Sequence, residues 1–257
     1  MAAVRQSALT FRGVLLALCV LTGLTTRAVG QDVLPITIPT LGWRPVMLGV
    51  GVVGVGIFFD ARVAREVRRG ATPGSISTAH TLDRFGEAGV IAPVVGGLAL
   101  AGLVAHRPAV VRTAGRVAGA IVVASALTHS SKYLFGRSRP YQDPDLDATD
   151  FSPFGGRNSF PSGHTAAAFA LATTLGDASG NTLAKIGLYT LATGTAWGRI
   201  AGSDHWLSDV LAGAGIGIVS AKFASGRIRI FGLQAPKVLI GPQGSGVSLT
   251  VNLPPLR

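Results

Sequence analysis

Three clusters between Lys132 and Asp209 hold residue types that could transfer a phosphoryl group. They are Lys132-Tyr-Leu-Phe-Gly-Arg-Ser-Arg139-Pro140, Pro161-Ser162-Gly163-His164, and Arg199 followed by His205 and Asp209. Lys132, Arg139 and Arg199 are cationic at neutral pH, and a planar guanidinium can grip two phosphate oxygens at once. Pro161-Ser-Gly-His stands just before an Ala-rich apolar segment, where Ser159 or Ser162 can cap a helix. Free N–H groups at such a helix start, together with the helix dipole, attract an anion, and Gly163 permits close backbone approach. His164 can donate or accept a proton near neutrality. His205 and Asp209 are four residues apart, so on a helix they share one face. A carboxylate on one imidazole nitrogen fixes the tautomer and leaves the other nitrogen nucleophilic. Each cluster taken alone also has an ordinary explanation: a solvated helix end, a plain cap, a surface His–Asp pair. Arg137 either assists the first cluster or faces water.

Taken together and in this order, Lys-x6-Arg-Pro, Pro-Ser-Gly-His and Arg-x5-His-x3-Asp resemble the type-2 phosphatidic acid phosphatase / vanadium haloperoxidase superfamily. The resemblance implies an α-helical bundle with its pocket at one end. It implies that Lys132, Arg139 and Arg199 hold the phosphate oxygens with Ser162 and Gly163. His205 is then the nucleophile that forms a phosphohistidine, and Asp209 orients it. His164 protonates the leaving alcohol and afterwards activates water. No metal or other cofactor is implied, because the cations do the work that a divalent ion does elsewhere. One position departs from the pattern: the third motif often begins Ser-Arg, and here Gly198 precedes Arg199. A serine contact is lost there while a backbone N–H remains. The resemblance covers the last four predicted helices, and the first two match only in character.

The elements that must position these residues follow from the apolar patterning. Hydrophobic residues make up 48% of the chain and charged residues 14%, the latter well below the roughly 25% of soluble domains. Six apolar segments, about 45–59, 88–106, 117–131, 164–176, 184–199 and 205–223, have helical length and Ala/Leu/Gly content. They predict an all-α fold, a six-helix bundle over 45–225. The three clusters fall at alternate helix ends, hence on one side of the bundle. Residues 62–69, rich in Arg, are a charged helical extension or an exposed loop, and Thr72-Pro-Gly-Ser is a turn. A transmembrane helix needs about twenty apolar residues, and only 88–106 approaches that length. Residues 226–257 are an extended tail, with 237–252 predicted as a β-hairpin around a Gly-rich turn.

Residues 1–30 have the layout of a signal peptide: Arg5 and Arg12, an apolar run over 13–24, and small residues at Ala28 and Gly30. Residues 31–44 form a lead-in. The single cysteine, Cys19, lies in that apolar run, which excludes disulfides and cysteine metal sites from the rest. The net charge of +11 has no Lys/Arg block interleaved with aromatics. An anionic substrate or lipid surface therefore fits better than nucleic acid. The Asp-rich stretch 141–150 lacks the glycine and terminal glutamate of a calcium loop and is expected to be a solvated loop. His80, His106 and His129 have no partner pattern and are expected to be structural.

The expected function is that of a metal-independent phosphatase of the bacterial envelope, hydrolysing a lipid phosphate or diphosphate through a phosphohistidine. It would be membrane-associated, with its site on the periplasmic side. Alternatives are a broad-specificity periplasmic acid phosphatase, a vanadate-dependent haloperoxidase, and an envelope transporter or structural protein whose basic clusters contact headgroups.

Overall fold

The computed structural model describes residues 38–235, 237–240 and 247–250, so the predicted signal segment and Cys19 lie outside the described residues. The six predicted helices are all present: α1 Trp43–Gly70, α3 Ala88–Val104, α4 Pro108–Phe135, α5 Gly163–Ser179, α6 Thr182–Ala201 and α7 Leu207–Ala224. A short helix, α2 Pro73–Asp83, occupies the stretch expected to open as a turn. Thr72 is its N-cap: its side chain accepts from the Ser75 amide, and Pro73 supplies a preset first helical residue. The turn signal was a helix start.

Helix α5 is the axis of the bundle. Ala166, Ala168, Ala170, Leu171 and Ala172 are all buried, with α4, α6 and α7 packed around them. Its small side chains let the neighbouring backbones approach closely. Outside this core, α1 lies on α7, α2 on α6 and α3 on α4. Parallel pairing of β1 Thr40–Leu41 with β2 Arg229–Ile230 ties the start of α1 to the end of α7. In the tail, β3 Lys237–Ile240 pairs antiparallel with β4 Val247–Thr250, the expected hairpin.

The helices run longer than the apolar segments suggested. Four stretches are long and apolar enough to cross a membrane: Trp43–Gly70, Pro73–Val104 (α2 and α3 with the turn between them), Pro108–Phe135 and Leu207–Ala224. This corrects the expectation that only one segment nears that length. The Arg-rich residues 62–69 continue α1 as helix, and α4 continues through Lys132. Exposed Leu48, Val52, Val55, Phe58, Leu100, Leu103 and Val122 cover the flanks. These are features of a membrane protein.

Two glycines fix the geometry near the clusters. Gly136 ends α4 with φ +55°, and a Cβ there would also collide with the Ser152 carbonyl. Gly198 faces α2 so closely that a Cβ would sit 2.5 Å from the Ala79 carbonyl oxygen. The departure from the Ser-Arg pattern thus has a packing cause: α2 occupies the space a serine would need.

Candidate active site

Lys132 lies in the last turn of α4, Arg139 beyond its end, Ser162 and Gly163 at the start of α5, Arg199 in the last turn of α6, and Asp209 in the first turn of α7. All lie at one end of the bundle, opposite the start of α1. Lys132 Nζ donates to the Asn158 carbonyl, and Arg139 Nε donates to Asn158 Oδ1 at 3.1 Å. Arg139 and Arg199 both face Asp204, at 3.8 and 3.3 Å. The His205 amide donates to the Arg199 carbonyl at 3.2 Å. The three predicted cations are therefore neighbours, joined through Asn158 and Asp204, residues the motifs did not mark.

Ser162 is fully buried and is the N-cap of α5: its Oγ accepts from Thr165 N at 3.4 Å and Thr165 Oγ1 at 2.9 Å. Its hydroxyl oxygen is thus engaged in the cap, a contact typically worth about 1 kcal/mol. The amides of Gly163 and His164 open the helix without an intrahelical acceptor. No side chain crowds Gly163, whose Cβ position meets no atom within 4 Å.

His205 precedes α7 instead of lying on it, since that helix begins at Leu207. Its Nδ1 still reaches Asp209 Oδ2 at 3.3 Å, because Asp209 sits in the first turn and its carboxylate folds back. The same oxygen accepts from the Trp206 amide at 3.0 Å, the reciprocal contact of a capping box. Ser159 Oγ donates to it as well. The other oxygen, Oδ1, accepts from Arg137 Nη1 at 2.7 Å.

Arg137 resolves the open question about its role: it is completely buried. Its Nη2 donates to Asp60 Oδ2 at 2.7 Å, its Nη1 also to Ser208 Oγ at 2.7 Å, and its Nε to the Ala148 carbonyl at 3.1 Å. Asp60 Oδ1 in turn accepts from the Ser208 amide at 2.8 Å. One guanidinium thus welds α1, the Asp-rich loop and the start of α7 beneath His205. Asp60 could have been suspected from sequence, since a lone carboxylate closing an apolar run needs a buried partner. The loop 141–150 is built from its own turns, with Asp143 accepting from the Asp145 and Asp147 amides at 2.9 Å each. Its Leu146 and Ala148 are buried against Trp206.

Burial pushes the His205 imidazole down to about 4, and the charges of Lys132 and Arg199 add to that, against the pull of Asp209. The ring is therefore neutral at pH 7, with Nδ1 held by Asp209 and Nε2 left for chemistry. His164, half-buried, is also lowered by burial and by Arg199, while Asp83, Glu87 and Asp204 act in the opposite sense. Arg199 Nη1 is bonded to Asp83 Oδ2 at 2.5 Å. Its Nε is buried without a hydrogen-bond partner, as is Asp83 Oδ1. One oxygen each of Asp83 and Glu87 and a ring nitrogen of His164 lie within 4.8 Å of one another, the group among the described residues with metal-ligand spacing. Arg199 bonds one Asp83 oxygen, Oδ2, and its positive charge beside the group disfavours a further cation. His129 Nδ1 faces the Ser125 carbonyl at 2.8 Å in α4, away from these contacts.

Residues 113–229 match the model of the PAP2 superfamily. A lipid A 1-phosphatase of Porphyromonas gingivalis is 42% identical over 95 residues, a stretch covering 36% of this chain. The match spans only 19% of that protein's length. Two crystal structures share the fold. Aquifex aeolicus LpxE aligns with a TM-score of 0.52 at 23% identity, over 65% of this chain and 94% of its own. A transmembrane PAP2-type phosphatidylglycerolphosphate phosphatase from Bacillus subtilis aligns with a TM-score of 0.54 at 16% identity, over 72% and 96%.

Proposed function

We propose that this chain, whose residues 113–229 form a PAP2 superfamily domain, is a metal-independent phosphatase acting on a lipid phosphate monoester or diphosphate. The observation that carries the reading is the meeting of Lys132, Arg139 and Arg199 with the buried His205–Asp209 pair at one bundle end.

The chemistry runs in two steps. Phosphate oxygens are held by Lys132, Arg139 and Arg199, whose Nε has no protein acceptor, and by the amides at the start of α5. His205 Nε2 attacks phosphorus; the N–P bond forms as the bond to the leaving oxygen breaks. His164 gives its proton to that oxygen, releasing an alcohol or a phosphate. In the second step His164 takes a proton from water, the water oxygen attacks phosphorus, and the N–P bond breaks to free inorganic phosphate. Asp209 keeps the Nδ1 proton in place throughout.

A lipid substrate is supported by the apolar flank. A groove of about 520 Å³ between α1 and α7 is lined by Met47, Val52, Val55, Phe59, Leu207 and Leu211. Leu207 is two residues from His205, so the groove runs along the bundle from the reacting end. The relatives named as lipid A 1-phosphatase and phosphatidylglycerolphosphate phosphatase point the same way. The functional unit is residues 45–225, with 226–257 an accessory tail. We place the site on the periplasmic side.

The test is phosphate release from lipid A 1-phosphate, phosphatidylglycerolphosphate, a prenyl diphosphate and soluble alkyl phosphates by the detergent-solubilised chain. Lipid substrates should turn over fastest, and His205→Ala should abolish release. Fastest turnover of soluble esters would favour an acid phosphatase, and no turnover would leave a non-enzymatic membrane protein.

A further inference from the structure

Asp83 and Glu87 lie outside the matched segment 113–229 and belong to none of the three clusters. The fold nevertheless brings the junction between α2 and α3 against the site. The backbone of Gly86 packs on the His164 carbonyl, and Thr195 Oγ1 of α6 donates to the Leu82 carbonyl at 2.9 Å. As a result one oxygen of Asp83, one of Glu87 and a ring nitrogen of His164 lie within 4.8 Å of one another.

The two carboxylates are not equivalent. Asp83 Oδ2 is taken by Arg199 at 2.5 Å. The Glu87 carboxylate makes no hydrogen bond or ion pair among the described residues, although it is half-buried. Such a group beside a pocket for a phosphate anion repels the substrate unless something cationic stands between them. The only titratable group placed to do so in this trio is the imidazole.

We propose that Glu87 is a positioning residue whose counter-charge favours the imidazolium form of His164 that protonates the leaving oxygen, while Asp83 ties the same junction to Arg199. This rests on the reading of His164 as proton donor. His164 is faced by Asp83 and Glu87 from the α2–α3 junction, by Arg199 from α6 and by Asp204 from the turn before α7. Burial and Arg199 disfavour the charged ring and the three carboxylates favour it. His205 differs in that its one carboxylate, Asp209, is already shared with Arg137, Ser159 and the Trp206 amide. Burial lowers both imidazoles, and the unshared carboxylate of Glu87 opposes that shift at His164.

The experiment is an NMR titration of the full chain in detergent with ¹⁵N-labelled histidine, the His164 resonance being assigned with His164→Asn. In Glu87→Gln the His164 midpoint should fall by about half to one pH unit, and Glu87→Asp should restore most of it. In parallel, kcat/KM of Glu87→Gln should fall about tenfold more with an alkyl phosphate than with p-nitrophenyl phosphate, whose leaving group needs little protonation. Where Glu87→Gln does not fold, Glu87→Ser is read in the same way. An unmoved midpoint, or equal losses on the two esters, overturns the inference. If His164→Asn itself loses equally on both esters, the proton-donor reading falls. If His164→Asn discriminates between them and the Glu87 variant does not, only the role of Glu87 falls.

Discussion

Arg137 and Asp209, both wholly buried, are joined at 2.7 Å, and the far side of the same guanidinium holds Asp60 at 2.7 Å. The orienting carboxylate of the candidate nucleophile is thus a member of a Asp60–Arg137–Asp209 chain that also staples α1 to α7. Fixing Asp209 in this way fixes the His205 ring, and the same contacts hold the fold.

Removing Arg137 should therefore damage stability and activity together. Arg137→Ala leaves two buried carboxylates without their shared cation, a loss on the order of 3–5 kcal/mol. Arg137→Lys should recover little, since an ammonium cannot reproduce the fork that reaches Asp60, Asp209 and the Ala148 carbonyl. Thermal unfolding in detergent checks this; a wild-type melting temperature for Arg137→Ala would contradict the network.

The His205 ring sets a low acidic limit. With the imidazole pushed down to about 4 by burial, Lys132 and Arg199, it stays neutral until the pH falls to that region. The kcat/KM for an aryl phosphate should accordingly decline through about pH 4, not near the ordinary histidine value of about 6.5. Lys132→Met removes a charge that opposes protonation, so its acidic limb should move to higher pH. Asp209→Asn removes a charge that favours protonation, so its limb should move lower. A stopped-flow pH profile measures both; shifts of the reverse sign would count against the electrostatic account.

Charge neutralisation by three side chains predicts insensitivity to chelation. EDTA should leave phosphate release unchanged, and orthovanadate, a phosphate mimic, should compete with substrate. Arg199→Ala should weaken both vanadate inhibition and turnover, by about a hundredfold or more for the latter. Inhibition by EDTA that added divalent ions reverse would be the contrary result.

The proposed orientation is testable with single cysteines in a Cys19→Ser background. Asp145→Cys, exposed in the loop at the site end, should react with a membrane-impermeant maleimide on intact spheroplasts, and Arg107→Cys at the other end should not. The reverse pattern would place the site on the cytoplasmic side.

Much of the architecture was legible because it depends on local signals. Apolar segments of helical length gave the six main helices, and alternate ends carried the three clusters. Ser162 ahead of Gly163 marked the cap of α5. Boundaries failed where a residue has two local meanings. Thr72-Pro-Gly-Ser reads as a turn and is a capped helix start. Lys132 and Arg62 look like terminators of apolar runs, but both lie within helices, since a charge near a helix end costs little where it can face water or a polar pocket.

The sequence by itself determined which groups could do chemistry and the order of the helices that present them, because side-chain type and helical periodicity are properties of short stretches. Only the tertiary structure decided which charges meet. Arg137 turned inward to Asp60, 77 residues away, and Asp83 reached Arg199, 116 residues away. Nothing near Arg137 in the chain specifies a carboxylate on α1. A buried charge is tolerable only where the packed fold delivers its partner, and that delivery is a result of how α1, α2 and α3 wrap the inner helices.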